Sequence, residues 1–434
     1  SYEIIINIQI IDENLNKKFD EMMRLMFYAN YVLNRVVVTV VKGKNEDYAF
    51  TIFESLNTTG EPLTAFETFK PRVIHAVGLP NYEGSAAKEL MDEVGRYLGS
   101  YLGGAALQKA TKELLINFLG AYSGTKVSGR LADQRSELKK GFEKAISESN
   151  ELTFIQVLAD CTNFKKAFWE SKDFNDTHKY IKNFQLSSTS KLCLTFLNEM
   201  NHSIVIPVLT VFFSQIVAAK NEYDLEHRTR DFESALKAVV AFSVLWRAAL
   251  GGANGIDSQY RELVSSDEMK ETGLPPLART KMKDNIIDIS LFKKELKSRL
   301  MSNDRKGRID SKDTFINRAS GLPIYDKQYK VAKLLLLAAH HNAVEDTANP
   351  GLLIKGKESL NTCLTVEMYR AKGSFTIEHI APQKPDGKWD NKIYSNGILI
   401  DTLGNLVLIS SKLNAALSNR MWSEKKVLYQ AVGA

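Results

Sequence analysis

Cysteine is scarce in this chain, with three residues among 434 and no paired spacing between Cys161, Cys193 and Cys363. Disulfide frameworks and zinc ribbons need closely spaced sets of cysteines, so the spacing argues against both kinds of scaffold. Few, scattered cysteines fit a reducing compartment, and we expect a cytoplasmic protein.

Long apolar runs are also missing. No uninterrupted apolar stretch approaches the ~20 residues that a membrane-spanning helix needs, and no basic and apolar secretion signal opens the chain. We therefore expect no membrane partner. The sequence starts at Ser1 in a strand-like apolar run without an initiator methionine, so we expect it to be part of a longer protein.

Neither sign of charge dominates the composition. The chain has 57 Lys and Arg against 51 Asp and Glu, a net charge of +6. This mild excess of positive charge permits a polyanionic partner without requiring one. The length predicts two or three domains, since typical domains hold roughly 100 to 200 residues.

Apolar residues recur at helical spacing through most of the chain. Helices are predicted over residues 15–34, 89–98, 107–119, 136–146, 154–168, 187–200, 205–218, 231–250 and 326–341. We therefore expect a mainly α protein with a large helical domain. Residues 279–318 hold twelve Lys or Arg and six Asp or Glu. This run is either a solvated helix face with a connector or a surface that follows nucleic-acid phosphates.

The last 60 residues change from helical to strand-like patterning. Residues 376–383 read Thr-Ile-Glu-His-Ile-Ala-Pro-Gln, and their alternation predicts a half-buried strand that Pro382 ends. Residues 405–409 predict a second short strand, after which Ser410 can cap a helix that contains Asn414. The predicted unit is strand, strand, helix.

The residue types in this unit suit hydrolysis of a phosphodiester. Imidazole is the side chain best tuned to take a proton from water, so His379 is the predicted general base. Glu378 and Asn414 are the predicted ligands of a Mg²⁺-like ion, and Asn405 is expected to orient the imidazole or to fix the turn. Strict strand alternation sends Glu378 and His379 to opposite faces, so one ion can use both only if the strand twists or ends there.

Three further residues, Asn419, Lys425 and Lys426, follow at positions where contacts to a nucleic-acid phosphate can form. Exposed helix lysines are more often only solvated. Taken singly, a lone histidine or an asparagine in a Gly-Asn turn is usually structural. Their joint order favours a nuclease site.

The segments Glu-His-Ile-Ala-Pro-Gln at 378–383 and Gly-Asn-Leu-Val-Leu at 404–408, followed by Asn414, resemble the HNH or His-Me finger nucleases. The fuller pattern through residues 414–419 and 422–426 resembles the C-terminal nuclease domain of GmrSD-type, modification-dependent (type IV) restriction endonucleases. The resemblance implies a small ββα-metal domain that uses Mg²⁺ or Mn²⁺. In that family the acidic residue and the distal asparagine bind the metal, and the histidine activates water.

Residues 53–63 and 66–70 are similar to the latter part of the N-terminal, nucleotide-using domain of the same family. The family's Asp-Gly-Gln-Gln-Arg signature does not precede them, so we expect no nucleotide hydrolysis by this chain alone, and an NTP would act only through absent N-terminal residues. The loop formed by Asn57, Thr58, Thr59 and Gly60 is either a turn between helices or a phosphate-facing loop.

These observations predict three domains: residues 1–80 from the nucleotide-using domain, a helical middle domain over 81–325, and a nuclease domain over 326–434. The predicted function is a Mg²⁺-dependent nicking endonuclease that acts on modified phage DNA, with a homodimer or an N-terminal nucleotide-binding module as possible partner. Two alternatives stay open: a non-catalytic sensor of modified DNA or scaffold subunit, and an RNA-cleaving toxin with the same metal site.

Overall fold

The computed structural model describes residues 13–37, 63–181, 185–282, 286–301, 309–349, 352–357, 362–371, 375–384 and 387–432. The chain divides into two compact units, Ser1–Pro62 and Leu63–Ala434. In the first unit, helix α1 spans Glu13–Arg35, which confirms the helix predicted over residues 15–34. The predicted loop of Asn57, Thr58, Thr59 and Gly60 lies outside the described residues.

The second unit is largely helical. Its first helices are α2 (Ala65–Val77), α3 (Leu79–Tyr82), α4 (Ala86–Leu98), α5 (Gly104–Ser123), α6 (Leu131–Ser147), α7 (Glu151–Phe164), α8 (His178–Ile181), α9 (Ser188–Glu199) and α10 (Ile206–Val217). They are followed by α11 (Glu222–Leu250), α12 (Ile256–Ser265), α13 (Arg279–Met282), α14 (Ile289–Met301), α15 (Lys312–Ala319), α16 (Ile324–Lys327) and α17 (Tyr329–His340). The prediction of a mainly α protein is confirmed.

Local sequence explains how α2 begins. The hydroxyl of Thr64 accepts a hydrogen bond from the backbone N–H of Glu67 at 3.2 Å, and the Glu67 carboxylate accepts from the backbone N–H of Thr64 at 2.7 Å. This reciprocal arrangement satisfies two N–H groups that the first turn of a helix leaves without partners. The order Thr, two residues, Glu predicts this start from sequence.

Aromatic side chains fill the core of the helical region. Phe154 on α7 lies edge-to-face with Phe118 and with Tyr122 on α5, with ring centroids 4.8 Å apart in each pair. It also contacts Phe142 on α6 at 5.5 Å. Such pairs each contribute about 0.5–1.5 kcal/mol beyond the burial of their area. Helices α5, α6 and α7 therefore share one tightly packed centre.

Short strands appear after α17. Strands β1 (Ala343–Glu345) and β2 (Leu353–Lys355) form an antiparallel pair that the sequence pattern did not predict. After α18 (Val366–Arg370), strands β3 (Thr376–His379) and β4 (Leu406–Ile409) pair antiparallel, and α19 (Ser411–Leu417) and α20 (Trp422–Val432) end the chain. The register sets Glu378 opposite Val407 and His379 opposite Leu406.

The strand pair lies against the helical core. Helix α17 packs next to β4, and Ile377, Leu406 and Leu408 belong to the same apolar core as the helices. A separate small cluster of Ile409, Leu417 and Tyr429 joins β4 to α19 and α20. Among the described residues, no helix is long and apolar enough to cross a membrane.

Candidate active site

His379 is the last residue of β3, and its side chain is almost buried, with 8% of its surface exposed. Its Nε2 atom lies 2.9 Å from Oδ1 of Asp401. A carboxylate accepts hydrogen bonds, so this contact places the proton of a neutral imidazole on Nε2 and leaves the lone pair on Nδ1. One edge of the ring packs against Tyr325 of α16, with centroids 4.4 Å apart. The imidazole is therefore fixed in orientation and in tautomer.

Asp401 is a site residue that the sequence analysis missed. Its Oδ1 atom also accepts a hydrogen bond from the Gln383 side chain at 3.2 Å, so two donors hold one oxygen. The residue lies four positions before Asn405 in the segment between the two strands. The only sequence signal is a carboxylate just before the Leu-Gly-Asn turn, and the same loop also contains Asp386 and Asp390.

Glu378 contacts a different partner from its neighbour His379. Its Oε1 atom accepts a hydrogen bond from Nζ of Lys425 at 2.6 Å. The same ammonium donates to the backbone carbonyl of His379 at 3.0 Å. Glu378 is 7% exposed and Lys425 is 0% exposed, so this is a buried ion pair. The adjacent side chains of β3 thus bind separate groups, as strand alternation predicts.

The sequence suggested that Lys425 contacts a nucleic-acid phosphate, but in the structure its ammonium group binds Glu378 and the carbonyl of His379. A lysine with no exposed surface that is bound to a carboxylate and a carbonyl is not available to a phosphate at the protein surface. The sequence interpretation treated it as one of two exposed helix lysines. Lys426 and Asn419 are exposed, as the predicted phosphate contact requires of these two residues.

Asn405 binds backbone atoms and not the imidazole. Its Oδ1 accepts from the N–H of Ala381 at 2.8 Å, and its Nδ2 donates to the carbonyl of Ala381 at 3.0 Å and to that of Ile400 at 2.8 Å. These bonds tie the end of β3 to the residue just before Asp401. Of the two roles predicted for Asn405, the contacts correspond to fixing the turn, and a direct catalytic contact is not what the geometry provides.

Asn414 attaches α19 to β3. Its Nδ2 donates to Oγ1 of Thr376 at 3.0 Å and, more weakly, to the carbonyl of Ile377 at 3.4 Å. The helix begins as predicted, because the Ser410 hydroxyl caps it by accepting from the N–H of Leu413. The Nδ2 atom of the Asn414 amide makes both bonds to β3. Its Oδ1 atom lies on the other edge of the planar amide and takes no part in these two bonds.

Tyr429 lies near the Glu378 carboxylate on the helix that carries Lys425. Burial, together with the charge of Glu378, raises the pKa of the Tyr429 hydroxyl. The hydroxyl therefore stays protonated at neutral pH. Lys425 and Tyr429 of α20 therefore both lie beside the Glu378 carboxylate.

The donor atoms of these residues match a divalent metal in type, but their side chains do not form a preassembled cluster. Within the described ranges, no group of three or more His, Cys, Asp or Glu side chains is arranged to hold a metal ion. The oxygens of Glu378, Asp401 and Asn414 are nevertheless the hard donors that Mg²⁺ and Mn²⁺ prefer. The donor types fit such an ion, and one oxygen of Glu378 is already bonded to an ammonium group.

Comparison with known proteins gives one family. Residues 309–432 match the family model of the C-terminal domain of GmrSD restriction endonucleases. The matched segment contains the strand pair, Asp401 and both C-terminal helices. The chain has no significant match among curated proteins.

Proposed function

We propose, from the match of residues 309–432 to the C-terminal domain of GmrSD restriction endonucleases, that this chain hydrolyses phosphodiester bonds in DNA. The observation that carries the proposal is the hydrogen bond between His379 and Asp401 at the end of β3. A histidine oriented by a carboxylate is a general base in a defined tautomer. The reaction class is metal-assisted hydrolysis that leaves a nick.

In this mechanism Nδ1 of His379 takes a proton from the attacking water. The imidazole then becomes positively charged, and the Asp401 carboxylate, 2.9 Å from Nε2, stabilises that charge. Asn405 holds the backbone next to Asp401, and Tyr325 limits rotation of the ring. His379 is the catalytic residue, whereas Asp401, Asn405 and Tyr325 are positioning residues.

Mg²⁺ or Mn²⁺ is the proposed cofactor, with Glu378 and Asn414 as the residues that would hold it. A bound ion of this kind polarises the scissile phosphate and stabilises the oxygen that leaves. The strand pair β3 and β4 with α19 would then be the ββα unit of an HNH or His-Me finger domain. A single site of this kind cuts one strand, so a double-strand break needs two protomers or two events.

A groove in the helical region is the proposed contact surface for the DNA backbone. It has a volume of about 710 Å³ and lies between α11, α14 and α15. Its lining includes the apolar side chains of Phe242, Leu296 and Phe315. The exposed lysines Lys237, Lys293, Lys297 and Lys312 also line it.

Charge complementarity supports this assignment. Within the part of the chain that the structure describes, none of these four lysines forms an ion pair, and Asp310 is the one acidic residue that lines the groove. Three of the lysines belong to the basic run at residues 279–318, for which phosphate contact was one of two interpretations. A rim of exposed lysines suits a DNA backbone, because its phosphates meet the ammonium groups.

The biological setting that we propose is restriction of modified phage DNA in the cytoplasm. Any control of the reaction by a nucleotide would act through a separate nucleotide-binding module. The proposed domain limits remain residues 1–80, 81–325 and 326–434. The homodimer also remains a proposal.

The experiment is a nicking assay on supercoiled plasmid with Mg²⁺ or Mn²⁺, with and without a chelator. We expect nicking that the chelator stops and that His379→Ala abolishes, while the melting temperature and DNA affinity of the variant stay close to the parent values. Retained nicking in His379→Ala would remove this residue as the base. Binding to DNA with no cleavage under any metal would favour a sensor, and cleavage of RNA alone would favour a toxin.

A further inference from the structure

Lys425 is the most enclosed charged side chain of the candidate site. It projects from the first turns of α20, and its ammonium group lies 2.6 Å from Oε1 of Glu378 and 3.0 Å from the carbonyl oxygen of His379. The ammonium also lies 6.0 Å from the ring centre of Trp389. One cation therefore bridges a predicted metal ligand and the backbone of the predicted base.

A buried pair of this kind is not explained by stability alone. Removing an ammonium and a carboxylate from water opposes folding, and replacement of a buried ion pair by apolar side chains of similar volume is often neutral or stabilising. A pair placed on the residue next to His379 has a second effect. It fixes the carboxylate and neutralises its charge before any metal ion arrives.

We propose that Lys425 is a tethered cation that weakens the binding of free divalent metal to Glu378 and makes tight binding depend on bound DNA. The inference rests on the proposed function, because it takes Glu378 as a metal ligand. With Lys425 in place, the Glu378–Lys425 pair carries no net charge, so Glu378 offsets none of the two positive charges that a divalent ion adds, and the Asp401 carboxylate beside His379 offsets at most one of them. When DNA is bound, its phosphate supplies the negative charge that the Glu378–Lys425 pair lacks.

Coupling between the two ligands follows from this electrostatic arrangement. If DNA strengthens metal binding, then metal strengthens DNA binding by the same factor, because the coupling is reciprocal. The neutralised carboxylate therefore keeps the nuclease free of metal until a phosphate is present. Lys425 acts through Glu378 and is a positioning residue.

The test measures Mn²⁺ binding to the full chain by electron paramagnetic resonance in the absence of DNA. Lys425→Gln keeps a hydrogen-bond donor for Glu378 but removes the charge, and we expect it to bind Mn²⁺ at least 10-fold more tightly than the parent chain. Lys426→Gln, the next residue on the same helix and exposed, is the matched control and should leave Mn²⁺ affinity unchanged. Equal or weaker Mn²⁺ binding by Lys425→Gln overturns the proposal.

A second measurement does not need a substitution at Lys425. In the His379→Ala background, which prevents turnover, a DNA duplex should tighten Mn²⁺ binding at least 10-fold, and equal affinity with and without DNA would contradict the inference. Both readouts report metal binding and not cleavage. A chain that shows these affinities but never nicks DNA would therefore refute the proposed function and leave the role of Lys425 intact.

The double variant Glu378→Gln/Lys425→Gln completes the set. It removes both charges and so leaves no unpaired carboxylate. We expect it to bind Mn²⁺ no more tightly than the parent chain, because the ligand is gone. Tight Mn²⁺ binding by the double variant would show that the metal uses other residues and would overturn the proposal.

Discussion

Nε2 of His379 and Oδ1 of Asp401 lie 2.9 Å apart, although 21 residues of strand end and loop separate them in the chain. The contact exists because Asn405 bonds to Ala381 on one side and to Ile400 on the other. The turn therefore brings the carboxylate to the imidazole. In a neutral ring this geometry leaves Nδ1 as the basic atom.

Asp401→Asn should strongly reduce cleavage without unfolding the protein. An amide can donate a hydrogen bond to Nε2, which moves the ring proton to Nδ1 and removes the lone pair that takes the proton from water. By analogy with carboxylate-to-amide changes beside other catalytic histidines, we expect a loss of about 10²–10⁴-fold in rate. Initial nicking rates measure the loss, and the ¹⁵N chemical shifts of His379 report which nitrogen carries the proton.

Asp326→Asn is the matched control for that change. Its carboxylate is exposed and pairs with the exposed Lys327 at 2.8 Å, a kind of contact that contributes little. We expect its nicking rate to stay within about twofold of the parent, as usual for a surface change. Equal rates for Asp401→Asn and Asp326→Asn would show that the carboxylate at 401 has no part in catalysis.

The lysine-rimmed groove gives a second prediction, on salt dependence. Lys293→Gln/Lys297→Gln should weaken DNA binding and lower the slope of log affinity against log salt by about 1.8, since each phosphate contact contributes about 0.9. The control variant Lys139→Gln/Lys140→Gln on α6 changes a half-exposed and an exposed lysine, which pair with Glu143 and Glu137 respectively. Fluorescence anisotropy across a salt series measures both slopes, and an unchanged slope for the groove variant would exclude this surface.

The sequence predicted the elements of the site better than its contacts. Strands β3 and β4 and the cap of α19 follow from alternation, Pro382 and Ser410, because each of these signals is local. The hairpin of β1 and β2 was missed, since strands of three residues are too short to show a period. The prediction that residues 376–379 and 406–409 form one strand, strand, helix unit depended on the order of the sequence motifs and not on a local signal.

The hydrogen bond between His379 and Asp401 and the ion pair between Glu378 and Lys425 could not be predicted from local patterns. Asp401 is one of three aspartates in a loop without periodicity, and its position just before the Leu-Gly-Asn turn is too weak a signal to select it over Asp386 or Asp390. Lys425 stands 47 residues after Glu378, and adjacent lysines on a helix normally indicate a solvated face. Its burial depends on how α20 packs against β3, which is a tertiary property.

A buried carboxyl group in the helical core makes the stability of this protein depend on pH. Asp160 lies on α7 and is 2% exposed, and its Oδ1 accepts a hydrogen bond from the Gln156 side chain at 2.8 Å. Burial raises the pKa of this carboxyl to about 6 from its ordinary value of 3.8. The folded protein thus binds the proton more tightly than the unfolded chain does.

Asp160→Asn should therefore stabilise the protein at neutral pH and have little effect in acid. Below pH 4 the carboxyl is neutral in both states, whereas between pH 4 and 6 the parent chain loses stability because the unfolded chain releases this proton while the folded state still holds it. The difference in pKa corresponds to about 3 kcal/mol, and an amide oxygen can still accept from Gln156. Urea denaturation of both chains from pH 4 to 8 measures the free energy of unfolding. If the difference in this free energy between Asp160→Asn and the parent chain does not grow with pH, the raised pKa is contradicted.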